Sequence, residues 1–177
     1  ALHPTIVKDL ALSKHGLVYA AENLGTVCLS TDGSHIVIRG SDLRGNISAK
    51  DAVSFADFHS LTTKLTRILG STLMHQPPRL MNSTYHDKLS LLKLGWRIRR
   101  LGARDMRELL RIGSINIHDV LEERLDSTLL KGGLGLDSVL GSHTGPRSPN
   151  TVLAYLYRHV GESFGVRGPA IALGGMG

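Results

Sequence analysis

Apolar residues recur at helical spacing along Phe55, Phe58, Leu61, Leu65, Ile68, Leu69 and Leu73, and no other feature narrows the fold as far. Ser48-Ala49-Lys50-Asp51 opens this stripe as a capping box with Asp in place of Glu, and Pro77-Pro78 lies beyond its end. The pattern predicts one long helix with an apolar face that must be covered along its whole length. Covering helices are predicted downstream. His86 to Leu101 carries Leu91, Leu94, Ile98 and Leu101 on one face, and Arg104 to Ile112 is a shorter helix. Ser114 is read as the cap of a helix running to Leu125, and Ser148-Pro149 as a cap with a first-turn proline opening a helix to Val160.

Upstream the period changes. Pro4 to His15 reads as a short helix stopped by Gly16, after which Leu17–Ala21, Thr26–Thr31 and His35–Arg39 are short β-branched runs. Asp32-Gly33 between the last two is a hairpin signal, because glycine accepts a positive φ without penalty. The expected class is therefore α+β: a mostly helical lobe with a small antiparallel sheet near the N-terminus. At 177 residues such a lobe buries enough apolar surface to need no disulfide or metal staple. The single cysteine, Cys28, lies in an alternating apolar stretch and is expected to be a small buried thiol. No apolar run approaches the length of a membrane span.

The net charge of +6 is concentrated. Lys88, Lys93, Arg97, Arg99, Arg100, Arg104, Arg107 and Arg111 stand against Asp105 and Glu108 in one segment, and the remaining chain is balanced. A segment of that kind could follow nucleic-acid phosphates, yet Trp96 is the only stacking aromatic nearby, which disfavours nucleic acid. The expected use is a solvated surface, with Arg104 and Glu108 paired at i,i+4, or a peripheral membrane or protein contact through Arg97, Arg99 and Arg100. An interaction module whose basic helices bind an acidic protein or nucleic acid is the alternative function on this reading.

Other motifs carry less. Gly161-Glu162-Ser163-Phe164-Gly165 matches the nucleophile elbow of serine hydrolases, but a helix precedes it where the elbow needs a strand, so a hydrolase built on Gly161, Ser163 and Gly165 ranks third. The nine histidines fall at no metal-ligand spacing, and no metal is expected. Gly132-Gly133-Leu134-Gly135 contains G-x-G without a preceding strand and with Ser138 where the fingerprint's third glycine would fall, and is no dinucleotide fingerprint. Pro169-Ala170-Ile171-Ala172-Leu173 reads as a strand running into the turn Gly174-Gly175-Met176-Gly177. Such a turn ordinarily leads to a helix whose N-terminus faces an anion or cofactor.

Residues 125–141, from Leu125-Asp126-Ser127-Thr128 through Lys131-Gly132-Gly133-Leu134-Gly135-Leu136-Asp137-Ser138 to Gly141, carry a family likeness. With them go Gly145-Pro146-Arg147-Ser148-Pro149-Asn150-Thr151, a helix ending Tyr157-Arg158-His159, and the terminal Gly174-Gly175-Met176-Gly177. Together they resemble phytoene-desaturase-related FAD-dependent oxidoreductases, and within these the branch of pyridine nucleotide-disulfide oxidoreductase domain-containing proteins. The helix ending Lys14-His15-Gly16, the strand and hairpin, and the Ser-Ala-Lys-Asp-Ala helix start follow in the same order.

The resemblance implies an internal portion of such an enzyme. Residues 1–47 would be a helix plus small sheet, residues 48–168 a helical substrate-facing lobe, and residues 169–177 a return strand and turn toward a flavin domain elsewhere in the protein. It implies FAD as cofactor, bound in the whole protein with Gly174, Gly175, Met176 and Gly177 toward the flavin. It also implies an apolar small-molecule substrate, with Ser142, His143, Arg147 and Asn150 shaping its cavity. No residue here matches a catalytic acid or base, the redox chemistry being the flavin's. The portion alone is expected to be inactive. A cytoplasmic location in bacteria or a mitochondrial one in animals follows, without secretion, and homo-oligomerisation stays open.

Overall fold

The structure, a computed structural model, describes residues 2–73, 76–79, 81–112, 114–166 and 168–175. It is α+β, dominated by helices, with two small antiparallel sheets. Helix α1 (Pro4–Asp9) is capped by His3, whose Nδ1 accepts from the Thr5 N–H. It stops sooner than the sequence suggests: Ala11 turns left-handed and Leu12–His15 continue as a 3-10 helix closed by Gly16.

Strand β1 (Tyr19–Ala21) does not join the hairpin, as the sequence reading expects. It pairs with β5 (Ile171–Ala172), bringing segments near both ends of the chain together. The reason lies in the backbone, because Leu173 donates to the Val18 carbonyl and Leu24 to that of Pro169, pairings no local pattern encodes. The second sheet runs β2 (Thr26–Leu29), β3 (His35–Arg39) and β4 (Asp42–Gly45), with Cys28 opposite Ile36 and Ile38 opposite Leu43. β4 is unexpected, since Asp-Leu-Arg-Gly carries no β-branched residue. Cys28 and Ile36 are the buried side chains of the first two strands, as alternation requires when one face meets a core.

Helix α2 (Ala49–Leu73) is the predicted long element, burying Phe55, Phe58, Thr62, Leu65 and Thr66. The Ser48 hydroxyl accepts from the Asp51 N–H at 3.0 Å, the forward half of the expected box. The Asp51 carboxylate, almost fully buried, spans to another helix: it accepts from the backbone N–H groups of Asp126 at 2.7 Å and Ser127 at 3.1 Å. One carboxylate thus serves the N-termini of two helices, α2 and α6 (Thr128–Val139), where unsatisfied donors and positive dipole ends coincide.

Helix α3 (Tyr85–Arg99) opens on a full capping box between Thr84 and Asp87 and buries no residue. α4 (Gly102–Ile112) and α5 (Ile117–Glu122) follow, the latter capped by Asn116 and not by Ser114. α7 (Thr151–His159) begins after Asn150, two residues beyond the expected start, because Ser148 uses its hydroxyl to accept from the Gly145 N–H inside a turn. Arg104 and Glu108 do not pair; Glu108 binds Arg111 and Arg124.

Helix α6 is the element the sequence hides. Gly132, Gly133 and Gly135 each weaken a helix, and the sequence reading assigns this stretch no helix. Tertiary contact reverses that reading. Leu130 and Leu134 enter the core with Phe58, Ile117, Val120, Val152, Tyr155 and Leu156. Gly133 presses on β2 so closely that an added Cβ would collide with the Cys28 sulfur.

Candidate functional site

A cleft of about 680 Å³ lies beside the β1–β5 ladder. Its walls come from α1 and the following 3-10 segment (Pro4, Val7, Lys8, Lys14), from Tyr19, and from Val166 and Ala170 of the returning chain. Its volume is that of a small-molecule site, and its lining is mixed: apolar walls carry Lys8 and Lys14, with Glu22 and Asn23 at one side. Nothing in the local sequence announces it, since it exists only because β1 meets β5.

Gly174 and Gly175 end the same ladder. Both have positive φ, +82° and +88°, and the Gly175 N–H closes the turn on the Ala172 carbonyl at 3.1 Å. An added Cβ at either would meet none of the other described residues within 4 Å, which leave the turn open on its outer side. Met176 and Gly177 lie outside the described residues. An FAD molecule needs a pyrophosphate cradle and a ribose partner; the described residues supply an open backbone turn and do not by themselves form its site.

Ser142, His143, Arg147 and Asn150 lie elsewhere, on the exposed turn between α6 and α7. The Ser142 hydroxyl donates to the Val139 carbonyl and meets Thr144, and Asn150 starts α7 in the left-handed region without capping it. None of the four lines the 680 Å³ cleft. A smaller hollow of about 230 Å³ beneath this turn takes Pro146 from it, together with His118, Leu121, Glu122 and Lys131.

The stretches that carry the family likeness meet at a half-buried ionic clamp. The Asp137 carboxylate of α6 takes His159 Nε2 at 2.7 Å and Arg158 at 2.9 Å, and His159 Nδ1 reaches Glu162 at 2.8 Å. His159 also lies against the Tyr155 ring at 4.4 Å. Burial alone would drive the imidazole toward neutrality, but hydrogen bonds to Asp137 and Glu162 outweigh it and push the pKa up to about 9. At neutral pH the ring is therefore an imidazolium donating from both nitrogens, with no lone pair for base catalysis or a metal. Burial opposes ionisation of Asp137 and Glu162 too, yet His159 holds both below the usual carboxylate range. His59 of α2, whose pKa burial lowers, faces the same group through Glu162.

The sign of the pH dependence follows. The His159 pKa rises on folding from 6.5, so its contribution is complete below that value and is lost as pH climbs through about 9. The two carboxylates act at the other limb, losing theirs as pH falls through their depressed values. Urea midpoints are expected to fall between pH 6.5 and 9 by the equivalent of roughly 2 kcal/mol. His159→Gln should flatten that slope; an equally steep slope in the variant would remove His159 as its source.

Other reactive groups are spent in packing. The Ser163 hydroxyl donates to the Val160 carbonyl at 2.7 Å within a 3-10 helix that continues α7, so strand, sharp turn and helix do not meet there. Burial raises the Cys28 thiol and keeps it protonated. No cluster of metal-ligating side chains occurs among the described residues. No described helix is long and apolar enough to cross a membrane. The basic segment divides by its partners: Arg97, itself exposed, donates to the Ser71 hydroxyl of α2 and Arg111 binds Glu108 and Glu123, while Lys88, Lys93, Arg99 and Arg100 are exposed and in none of the ion pairs described.

No protein-family model and no solved structure matches the chain. Among curated proteins it is 27% identical over 200 residues to pyridine nucleotide-disulfide oxidoreductase domain-containing protein 2 of Mus musculus, covering 99% of this chain and 34% of that protein. The Rattus norvegicus protein of the same name is 28% identical over 201 residues, with the same coverage. The chain spans about a third of the length of the curated relatives it matches. Over nearly all its residues it is similar to pyridine nucleotide-disulfide oxidoreductase domain-containing protein 2, as the motifs in residues 125–177 led one to expect.

Proposed function

We propose that the chain is a substrate-facing part of a flavin-dependent oxidoreductase that oxidises or desaturates an apolar small molecule. The likeness to an oxidoreductase-domain protein over 99% of the chain carries this reading. The geometry is compatible with it: the β1–β5 ladder presents an open glycine turn at its end and a cleft of ligand size along its side. In this reading the flavin is held by the rest of the protein and supplies the electron transfer. Gly174 and Gly175 admit its approach by leaving the backbone bare, and the apolar walls of the cleft exclude water from the substrate. Ser142, His143, Arg147 and Asn150 meet substrate only with the remaining protein in place. The division into residues 1–47, 48–168 and 169–177 belongs to the same proposal.

The test uses the product of the complete reading frame. Gly175→Val puts a β-branched side chain where φ is +88°, with no other described residue within 4 Å of its Cβ, so its strain falls on the turn itself. Flavin bound per chain is expected to drop severalfold while the helical circular-dichroism signal is kept. A variant loading as much flavin as the unmodified protein would take the turn out of the cofactor site.

A further inference from the structure

We propose that the outer face of α3 is a docking surface for an anionic phospholipid bilayer. The argument rests on that helix alone and not on the oxidoreductase reading. At 3.6 residues per turn, Tyr85, Leu89, Leu92 and Trp96 fall on one line along α3. They are 83%, 36%, 70% and 64% exposed, an apolar stripe that the other described residues leave open, and Met81 just ahead of the helix is 86% exposed. Leu94 and Ile98 turn to the opposite, half-buried side, where Arg97 reaches Ser71 of α2.

The flanks identify the occupant. Lys88 and Arg99 border the stripe on one side and Lys93 and Arg100 on the other, all exposed and none in an ion pair among those described. The helix has one acid, Asp87, on the far side and committed to the Thr84 capping box. An apolar ridge with interfacial Trp and Tyr between two basic rims matches a bilayer surface, where leucines enter the acyl boundary and cations sit at headgroup phosphates. A second copy placed face to face would set basic rim against basic rim. A nucleic acid would meet leucine where it presents phosphate.

Trp96 is the only tryptophan, so intrinsic fluorescence reads this face directly. Vesicles of phosphatidylglycerol and phosphatidylcholine in equal parts are expected to shift its emission to the blue, and brominated acyl chains to quench it. Vesicles of phosphatidylcholine alone should leave it unchanged. Arg99→Gln with Arg100→Gln should lower the partition coefficient about 30-fold, since each cation near such a surface contributes about a factor of five. Leu92→Asp, at an exposed position, should abolish binding with helicity intact, and Arg97→Gln should leave binding as it was. An emission that anionic vesicles do not move, or that neutral vesicles move equally, overturns the proposal. So does an emission already blue without lipid and unaffected by it, which would assign the face to a protein partner or a second copy.

Discussion

Asp51→Ala is expected to lower the unfolding free energy by about 3 kcal/mol, among the largest effects of any single truncation in the chain. The carboxylate is nearly sealed from water and accepts two backbone donors from another helix, at 2.7 and 3.1 Å. Removing it deprives the part-buried Asp126 and Ser127 N–H groups of their acceptor and strips a negative charge from two helix N-termini. Asp51→Asn keeps one oxygen but turns an amide donor toward those N–H groups, so a smaller loss, about 2 kcal/mol, is expected. The Lys50–Asp126 ion pair beside it is exposed, and Lys50→Ala should cost under about 1 kcal/mol. Urea unfolding of the three variants checks the ranking; equal losses for Asp51→Ala and Lys50→Ala would show that the carboxylate does not join the helices.

Adjacent glycines in α6 should respond in opposite directions. Gly132 is exposed with open space around its Cα, so Gly132→Ala replaces a poor helix former by the best one and should stabilise by about 0.5–1 kcal/mol. Gly133 is buried against β2, and the methyl of Gly133→Ala would occupy the volume of the Cys28 sulfur. The helix gain is then overwhelmed by overpacking, giving a net loss of roughly 2 kcal/mol. Cys28→Ala removes the colliding atom, and the Gly133→Ala, Cys28→Ala pair should recover at least about 1 kcal/mol relative to additivity. Additive losses would mean that α6 and β2 do not touch through these residues.

These two sites show which parts of the fold a single sequence exposes. The long helix α2 was legible because its core residues repeat at its own period, and the β2–β3 hairpin because Asp32-Gly33 is a local signal. α6 was hidden because its glycines weaken a helix on any local count, and Gly133 is explained only by a neighbour 105 residues upstream, Cys28. The partner of β1 was hidden for the same reason: β5 is two residues long and lies at the other end of the chain. Of the candidate site, the motif at Gly174-Gly175 was legible as a turn, while the cleft beside it required a pairing that no local pattern carries. Asp137 and His159 stood within the resembling stretches, yet their role as a clamp emerges only where α6 and α7 are packed together.

The same distinction separates the two proposals. The amphipathic face of α3 is written in one stretch of sequence and depends on the fold only for which side is covered. The oxidoreductase assignment depends on residues the rest of the protein must supply. Its central claim is that a flavin works beside this chain, and the most direct measurement is the visible absorption spectrum of the purified product of the complete reading frame. A flavin spectrum near one equivalent per chain, bleached on anaerobic reduction and restored by air, is the expected result. A colourless product that releases no flavin on denaturation would contradict the assignment.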